Sequence, residues 1–419
     1  MKKFFFSIVF VTLVVTTLTA QQFDLSAEIR PRFENKRGYG TLLETGANGT
    51  NFISQRSRLN FNFENEKVRI GVALQNVRVW GDVWTLASDD KAIKFHQAWA
   101  EAIFNENLSL KLGRQEIVYD DHRIFGDVGW TQQARSHDAA LLKYKVDKKS
   151  FFDFGFALNA DSQSGIDNLY SNVAGYKAFQ YAYYHRKSNG IGVSLLFLNN
   201  GVEFENLDLT QEVDYAQTFG GRLTINKGKI ISDFAAYLQS GSLRGNKVSA
   251  SYFTGNVKYK ISSNYTFGVG AEYLSGKDMN DTNSDVKNFV PLYGTNHKFN
   301  GWMDYFYAGS PSGTAGLVDI NAVLAYKKDK FSAKLIPHLF SAAGDIYDGT
   351  TKMERNLGTE IDFTASYKIA DNMKLDVGYS KMYATESMEI VKGGGDSNEN
   401  NSWTWVMFTF KPKLFSTKK

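Results

Sequence analysis

Residues 58–75 read Arg58-Leu59-Asn60-Phe61-Asn62-Phe63-Glu64-Asn65-Glu66-Lys67-Val68-Arg69-Ile70-Gly71-Val72-Ala73-Leu74-Gln75. Leu59, Phe61 and Phe63 alternate with Arg58, Asn60 and Asn62. After the polar turn Glu64 to Lys67, Val68, Ile70, Val72 and Leu74 resume the alternation against Arg69, Gly71 and Gln75. Successive side chains of a strand point to opposite faces, so this is a hairpin with one apolar face and one face suited to water. Each arm approaches the roughly ten residues that a tilted strand needs to cross a bilayer.

The pattern recurs along the whole chain. It returns in Leu108, Leu110 and Leu112, in Ala140, Leu142, Tyr144 and Val146, in Phe152, Phe154, Phe156 and Leu158, and in Ile191, Val193, Leu195 and Phe197. Tyr265 to Tyr273, Leu357 to Tyr367, Met373 to Tyr379 and Val406 to Phe410 continue it. The connections sort into two alternating kinds. Short polar turns fall at 64–67, 105–107, 147–150, 187–190, 226–229, 262–264, 327–330 and 370–372. Between them lie longer Gly, Asn, Asp and Ser-rich stretches at 35–51, 80–92, 118–134, 161–175, 200–212, 241–247, 275–314, 342–354 and 386–400. Together they separate about eighteen strands, the even number of a bacterial outer-membrane barrel with both chain ends on the short-turn side. The expected fold is therefore all-β, a transmembrane antiparallel up-and-down barrel with short periplasmic turns and long extracellular loops. A soluble sandwich would not sort its connections this way.

Composition agrees. Lys2 and Lys3 precede an apolar run from Phe4 to Leu18 that ends at Ala20, the form of a cleavable secretory signal. Residues 1–20 are accordingly read as a signal peptide and 21–419 as one barrel domain of a Gram-negative outer membrane, delivered to the barrel-assembly machinery and embedded in lipid and lipopolysaccharide. Mean hydropathy is −0.33, so any membrane crossing must use strands. The 32 Phe, 22 Tyr and 7 Trp supply rings for interfacial girdles, and the Trp residues at 80, 84, 99, 130, 302, 403 and 405 are read that way. Cysteine is absent, which removes disulfides and thiolate metal sites. The 48 basic and 44 acidic residues nearly cancel, which argues against nucleic acid as a partner.

A barrel this wide leaves an aqueous lumen, so function rests on inward side chains and infolded loops. Alternation puts Arg56, Arg58, Asn60, Asn62 and Arg69 on the inward face. Glu101, Lys111, Lys143, Lys145, Arg222, Asp233, Lys258, Glu272, Glu360 and Asp362 are inward by the same argument. The densest polar segment contains Gly113-Arg114-Gln115, Tyr119-Asp120-Asp121-His122-Arg123 and Trp130-Thr131-Gln132-Gln133-Ala134-Arg135. This series, with the upstream block Gln75 to Asp82, resembles the alginate export family of outer-membrane channels, most sharply over residues 56–146. Two positions depart from the family pattern, Asp120 and His137.

The resemblance implies an eighteen-stranded monomeric barrel without cofactor, whose arginine-lined pore passes an anionic oligo- or polysaccharide. Carried over, Arg114, Arg123 and Arg135 would be pore arginines, with Arg78 a further candidate; Arg56 and Arg58 join them as pore candidates through the alternation alone. Strict alternation from Leu112 aims Arg114 at lipid, so a bulge near Gly113 is required to turn it inward. Two alternatives stay open: a weakly selective porin whose arginines pair with lumen carboxylates, and a surface-binding barrel plugged by the 275–314 loop. Catalysis is not expected, because neighbours in Ser136-His137-Asp138 point to opposite faces. The six His residues show no metal-binding spacing, and Asp278 to Asp285 lacks the ligand pattern of a calcium loop.

Overall fold

The computed structural model describes residues 21–87, 93–163, 169–170, 175–206, 208, 210–306 and 314–418. The segment read as a signal peptide lies outside them. The strands are β1 (Gln22–Arg37), β2 (Thr50–Glu64), β3 (Val68–Val79), β4 (Ile93–Ile103), β5 (Leu108–Gln115), β6 (His137–Lys145), β7 (Ser150–Leu158) and β8 (Ala178–Ser188). Next come β9 (Ile191–Glu205), β10 (Gln211–Lys227), β11 (Ile230–Leu243), β12 (Asn246–Lys260), β13 (Tyr265–Leu274), β14 (Leu317–Lys328) and β15 (Phe331–Ser341). A small hairpin, β16 (Ile346–Asp348) and β17 (Thr351–Met353), decorates one loop. After it come β18 (Asn356–Ala370), β19 (Met373–Ala384), helix α1 (Glu386–Lys392), β20 (Ser402–Phe410) and β21 (Lys413–Ser416).

Sequential antiparallel pairing links β1 through β15 with β18, β19 and β20, and β20 returns to β1, giving a closed 18-strand barrel. The seam runs from Arg37↔Ser402 to Ile29↔Phe410. The tail then completes it: β21 pairs with the start of β1 through Asp24↔Ser416 and Leu25↔Phe415. Without those residues the start of β1 would have an unpaired edge, and each amide left unpaired away from water costs roughly 2–7 kcal/mol.

Alternation sets the two faces. Leu238 on β11 is 42 % exposed on the outside, while the next residue, Gln239, is 8 % exposed inside. Exposed Tyr144, Tyr259, Tyr265 and Tyr367 ring the short-turn end, and Tyr215, Tyr273 and Tyr383 ring the long-loop end, the interfacial girdles of a membrane barrel. The tryptophans do not build these girdles as expected. Trp403 and Trp405 are buried inside the lumen, Trp130 meets both edge-to-face from an infolded loop, and Trp99 lies inward beneath the Lys111 ammonium. Only Trp80 and Trp84 stand exposed.

Two expected loops prove to be strand. The stretch 241–247 closes in a two-residue turn at Arg244 (φ 51°) and Gly245 (φ 78°), the two left-handed positions of a type I′ hairpin. In place of a loop over 200–212, β9 and β10 stay paired out to Glu205↔Gln211. Both segments rise past the apolar band, where the outward face turns polar (Asn199, Glu203, Ser242, Lys247) and Val202, Leu243 and Val248 face inward, which reverses the alternation that marks a membrane strand in sequence.

An outward charge should be costly and an inward one should not. Leu238→Arg is expected to destabilise the folded barrel by about 2–4 kcal/mol, read by urea unfolding in lipid vesicles, whereas Gln239→Arg should cost far less.

Candidate functional site

The inward face of β1 carries Glu28, Arg30, Arg32 and Glu34, all under one-tenth exposed. These hold the connection between β5 and β6, residues 116–136, inside the barrel. Arg30 donates to the carbonyls of Gly129 (2.8 Å), Trp130 (3.1 Å) and Thr131 (2.9 Å) and to Gln132 Oε1. Arg32 donates to Trp130 O at 2.8 Å and stacks on its ring, while Glu34 accepts from Arg32 and from the Trp403 indole. Gln132 reaches Ser54, and Gln75 donates to Gln133 O. A guanidinium has five donors in a fixed fork, so it can satisfy several loop carbonyls that would otherwise be stranded away from water. Sequence reasoning did not single out Arg30 and Arg32, although Glu28-Ile29-Arg30-Pro31-Arg32-Phe33-Glu34 alternates strictly.

The described residues 275–306 of the connection between β13 and β14 also turn inward and pack on the first loop. Phe125 and Tyr293 form a parallel bridge, Gly126 N donates to Tyr293 O, and Thr295 N donates to His122 O. The far end is fixed to wall carboxylates: Met303 N donates to Glu360 Oε1 at 2.8 Å and Trp302 N to Asp362 Oδ2 at 3.1 Å. Gly301, at φ 80°, sits where a Cβ would lie 2.7 Å from the Glu360 carboxylate, so backbone angle and space both require glycine. Asn300 donates to Glu272 and Asp319, and His338 pairs with Asp319 at 2.9 Å. Aromatic side chains from both loops and the wall, among them Phe125, Tyr181, Tyr293, Phe289 and Tyr252, fill the space between.

The arginines named from sequence separate into different roles. Arg56 faces inward but is 5 % exposed and bound to Glu28 at 2.5 Å, so it acts as a wall tie. Arg123 is 3 % exposed, ion-paired to Glu272 at 3.1 Å, hydrogen-bonded to Asn300 and stacked between Tyr252 and Phe299. It clamps the two infolded loops together and does not line an open pore. Arg58 faces the lumen, held by Gln75 and 3.8 Å from Glu116. Arg135 lines a lumen cavity and donates to Gly294 O at 3.1 Å.

Arg78 and Arg114 must be corrected. Arg78 pairs with Gln55 in an unshifted register, on the face opposite Ser54 and Arg56, and therefore points outward. Its guanidinium donates to Asn76 Oδ1 at the long-loop rim. Arg114 pairs with Asp138, and the expected bulge is absent: Lys111, Gly113 and Gln115 keep register with Leu141, Ala139 and His137. Gly113 takes φ 111° without reversing the faces, so Arg114 and Asp138 meet at 2.7 Å outside while Gln115 and His137 are buried inside. The same register puts His137 and Asp138 on opposite faces, as alternation requires.

What stays wet inside the barrel is a set of cations. Lys94 on β4, Lys258 on β12, Lys334 on β15 and Lys374 on β19 are inward by register and exposed, and Lys111 on β5 is half-buried. Among the described residues Lys94, Lys111, Lys258 and Lys334 have no carboxylate within ion-pair distance. Glu272, Asp319, Glu360 and Asp362, by contrast, are at most 6 % exposed beneath the 275–316 loop. His122, in the first loop, bonds Asp127 and with its neighbours holds that carboxyl down to about 2. Burial keeps the Lys298 ammonium of the second loop below the ordinary lysine range.

Removing Arg123 strands Glu272. Arg123→Gln is expected to destabilise the protein by about 3–5 kcal/mol and to expose the 275–316 loop to proteolysis, measured by thermal unfolding and limited digestion in micelles.

Residues 20–403 match the family described as alginate export. A comparison with curated proteins gives no match. Among solved structures, Acinetobacter baumannii OccAB4 superposes with a TM-score of 0.64 at 10% identity, over 95% of this chain and 99% of that one. Pseudomonas aeruginosa OccK5 (OpdH) gives 0.63 at 12%, over 94% and 98%. A BenF-like porin from Pseudomonas fluorescens Pf-5 gives 0.62 at 13%, over 94% and 99%. At such identities these likenesses establish the fold, that of outer-membrane porins, while the sequence match spans nearly the whole chain: the protein belongs to the alginate export family.

Proposed function

We propose that the protein is a passive outer-membrane channel that admits anionic oligo- or polysaccharides and discriminates by charge. Family and fold support a porin channel. The observation that supports the charge preference is the unequal exposure of the two signs. The chain is nearly neutral, yet the lumen carboxylates Glu272, Asp319, Glu360 and Asp362 are covered by an infolded loop while Lys94, Lys258 and Lys334 are open to water. Inside a low-dielectric wall, uncompensated charges of one sign focus the field and raise the local concentration of counter-ions.

The residues assigned to this role differ in part from those the resemblance implies: Arg135 is kept, while Arg78 and Arg114 are replaced by lumen lysines. Arg58, Lys94, Lys111, Lys258 and Lys334 face the passage, Arg135 stands at its loop-side mouth, and Arg56 and Arg123 maintain the scaffold. Under this reading the precursor carries a signal peptide, is inserted by the barrel-assembly machinery and acts as a monomer among lipid and lipopolysaccharide. The infolded loops favour a narrowed, selective passage over a general pore.

Reversal potentials in planar bilayers under a salt gradient test the reading. The parent protein should prefer anions, and joint replacement of Lys94, Lys111, Lys258 and Lys334 by Gln should lower the anion-to-cation permeability ratio several-fold. Arg78→Gln should leave it unchanged. A cation preference in the parent that these replacements do not move would refute the proposal.

A further inference from the structure

A basin of about 990 Å³ opens at the short-turn mouth of the lumen, among the turns that join β4 to β5, β6 to β7 and β8 to β9. Its volume falls within the range of small-molecule sites. Lys143 and Lys145 on β6, Phe151 on β7, and His185 and Lys187 on β8 reach it from the inward face, in the unshifted register Lys145↔Phe151↔His185. Lys148 and Lys149 of the β6–β7 turn complete its cationic side, so the lining holds five lysines against three carboxylates, Glu106, Asp147 and Asp153.

Two of those carboxylates are already engaged. Asp147 lies 3.6 Å from Arg186 and accepts from Lys149 N and the Ser150 hydroxyl within its own turn. Asp153 is 7 % exposed and accepts from the Tyr119 hydroxyl at 2.7 Å. All three turns lie wholly within the described residues. Among these residues Lys143 is 3.4 Å from Glu101 on the neighbouring wall, while Lys145, Lys148, Lys149 and Lys187 have no carboxylate within ion-pair distance. His185 adds an uncharged polar group: its Nδ1 is buried without a hydrogen-bond partner among the described residues, and its ring packs against Phe151 at 5.5 Å. A ligand hydroxyl would supply that missing partner.

Spacing decides the kind of anion. Inward positions two apart on a strand are separated by about 7 Å, and β6 and β8 by about 10 Å. One small anion would reach one or two of these ammonium groups. A chain with a carboxylate on each sugar meets several at once, and linked contacts bind far more tightly together than singly. Lys111 is the next inward residue beyond the Ser109↔Lys143 pair, so the basin runs on into the lysine-lined passage.

We infer that this basin is a docking site for an acidic oligosaccharide, whose leading sugars sit among Lys145, Lys148, Lys149 and Lys187 before the chain enters the passage from the short-turn side. The docking role presupposes the anion-selective channel proposed above and adds where the chain first engages it.

Calorimetric titration of the full-length protein in detergent micelles with trigalacturonate tests this, with the heat of protein-free micelles subtracted. Trigalacturonate should bind saturably at one site, and uncharged maltotriose at least about tenfold more weakly. Joint replacement Lys148→Gln, Lys149→Gln and Lys187→Gln should weaken trigalacturonate by about tenfold or more. Removing the same number of charges across the barrel at the β14–β15 turn, by Lys327→Gln, Lys328→Gln and Lys330→Gln, should leave the affinity within about twofold. Absence of saturable trigalacturonate binding, maltotriose binding as tight, an unchanged affinity in the first triple variant or an equal loss in the second would each overturn the docking site. The lysines replaced here lie outside the set tested by reversal potentials. A parent that prefers anions without binding trigalacturonate therefore fails the docking site alone, and one that binds it while preferring cations fails the channel reading alone.

Discussion

Within hydrocarbon no water is present to satisfy a backbone amide, so every N–H and C=O of a spanning segment must find its partner in the protein. For strands the solution is a sheet without edges, and here β1 supplies it by pairing with β2 on one side and with β20 and β21 on the other. The other features follow from this wall. Its alternation commits one face to lipid and leaves the other free to carry charge. Its rigidity lets Arg30, Arg32, Glu360 and Asp362 act as fixed posts on which loops are hung.

The inner charges then divide by what they touch. A buried ion pair contributes little net stability, but its geometry is specific and breaking it is costly. Arg56 with Glu28 and Arg123 with Glu272 fit that description, each fixing one arrangement of wall and loop. The carboxylates at β13, β14 and β18 accept from backbone amides of the second loop or from its Asn300 side chain. They are thereby withdrawn from the solution that fills the passage. A chain with nearly balanced charge can in this way leave Lys94, Lys258 and Lys334 exposed in its lumen while four carboxylates are covered.

The fold was readable because its period is two and the membrane enforces it: strands, short turns and the closing aromatic strand all show in the alternation. The pattern gives out where it inverts: at the ends of the β9–β10 and β11–β12 hairpins the outward face is polar and Val202, Leu243 and Val248 face inward, so these ends resemble loops. Arg78 and Arg114 differ from the pore role that the resemblance implies because Val72, Leu74, Asn76 and Arg78 share an outward face by simple counting, and so do Leu112 and Arg114. Infolding of the β13–β14 connection stood only as an open alternative in sequence, because the groups that hold its described residues 275–306, such as Glu360 and Asp362, lie far along the chain and bind mainly its backbone.

The seam joins β1 to β20 and β21, so the pairing that removes the last edges of the sheet is also the one between the segments farthest apart in sequence. Contacts of such separation are the slowest kind to form, so closure of the wall is expected to follow the sequential hairpins.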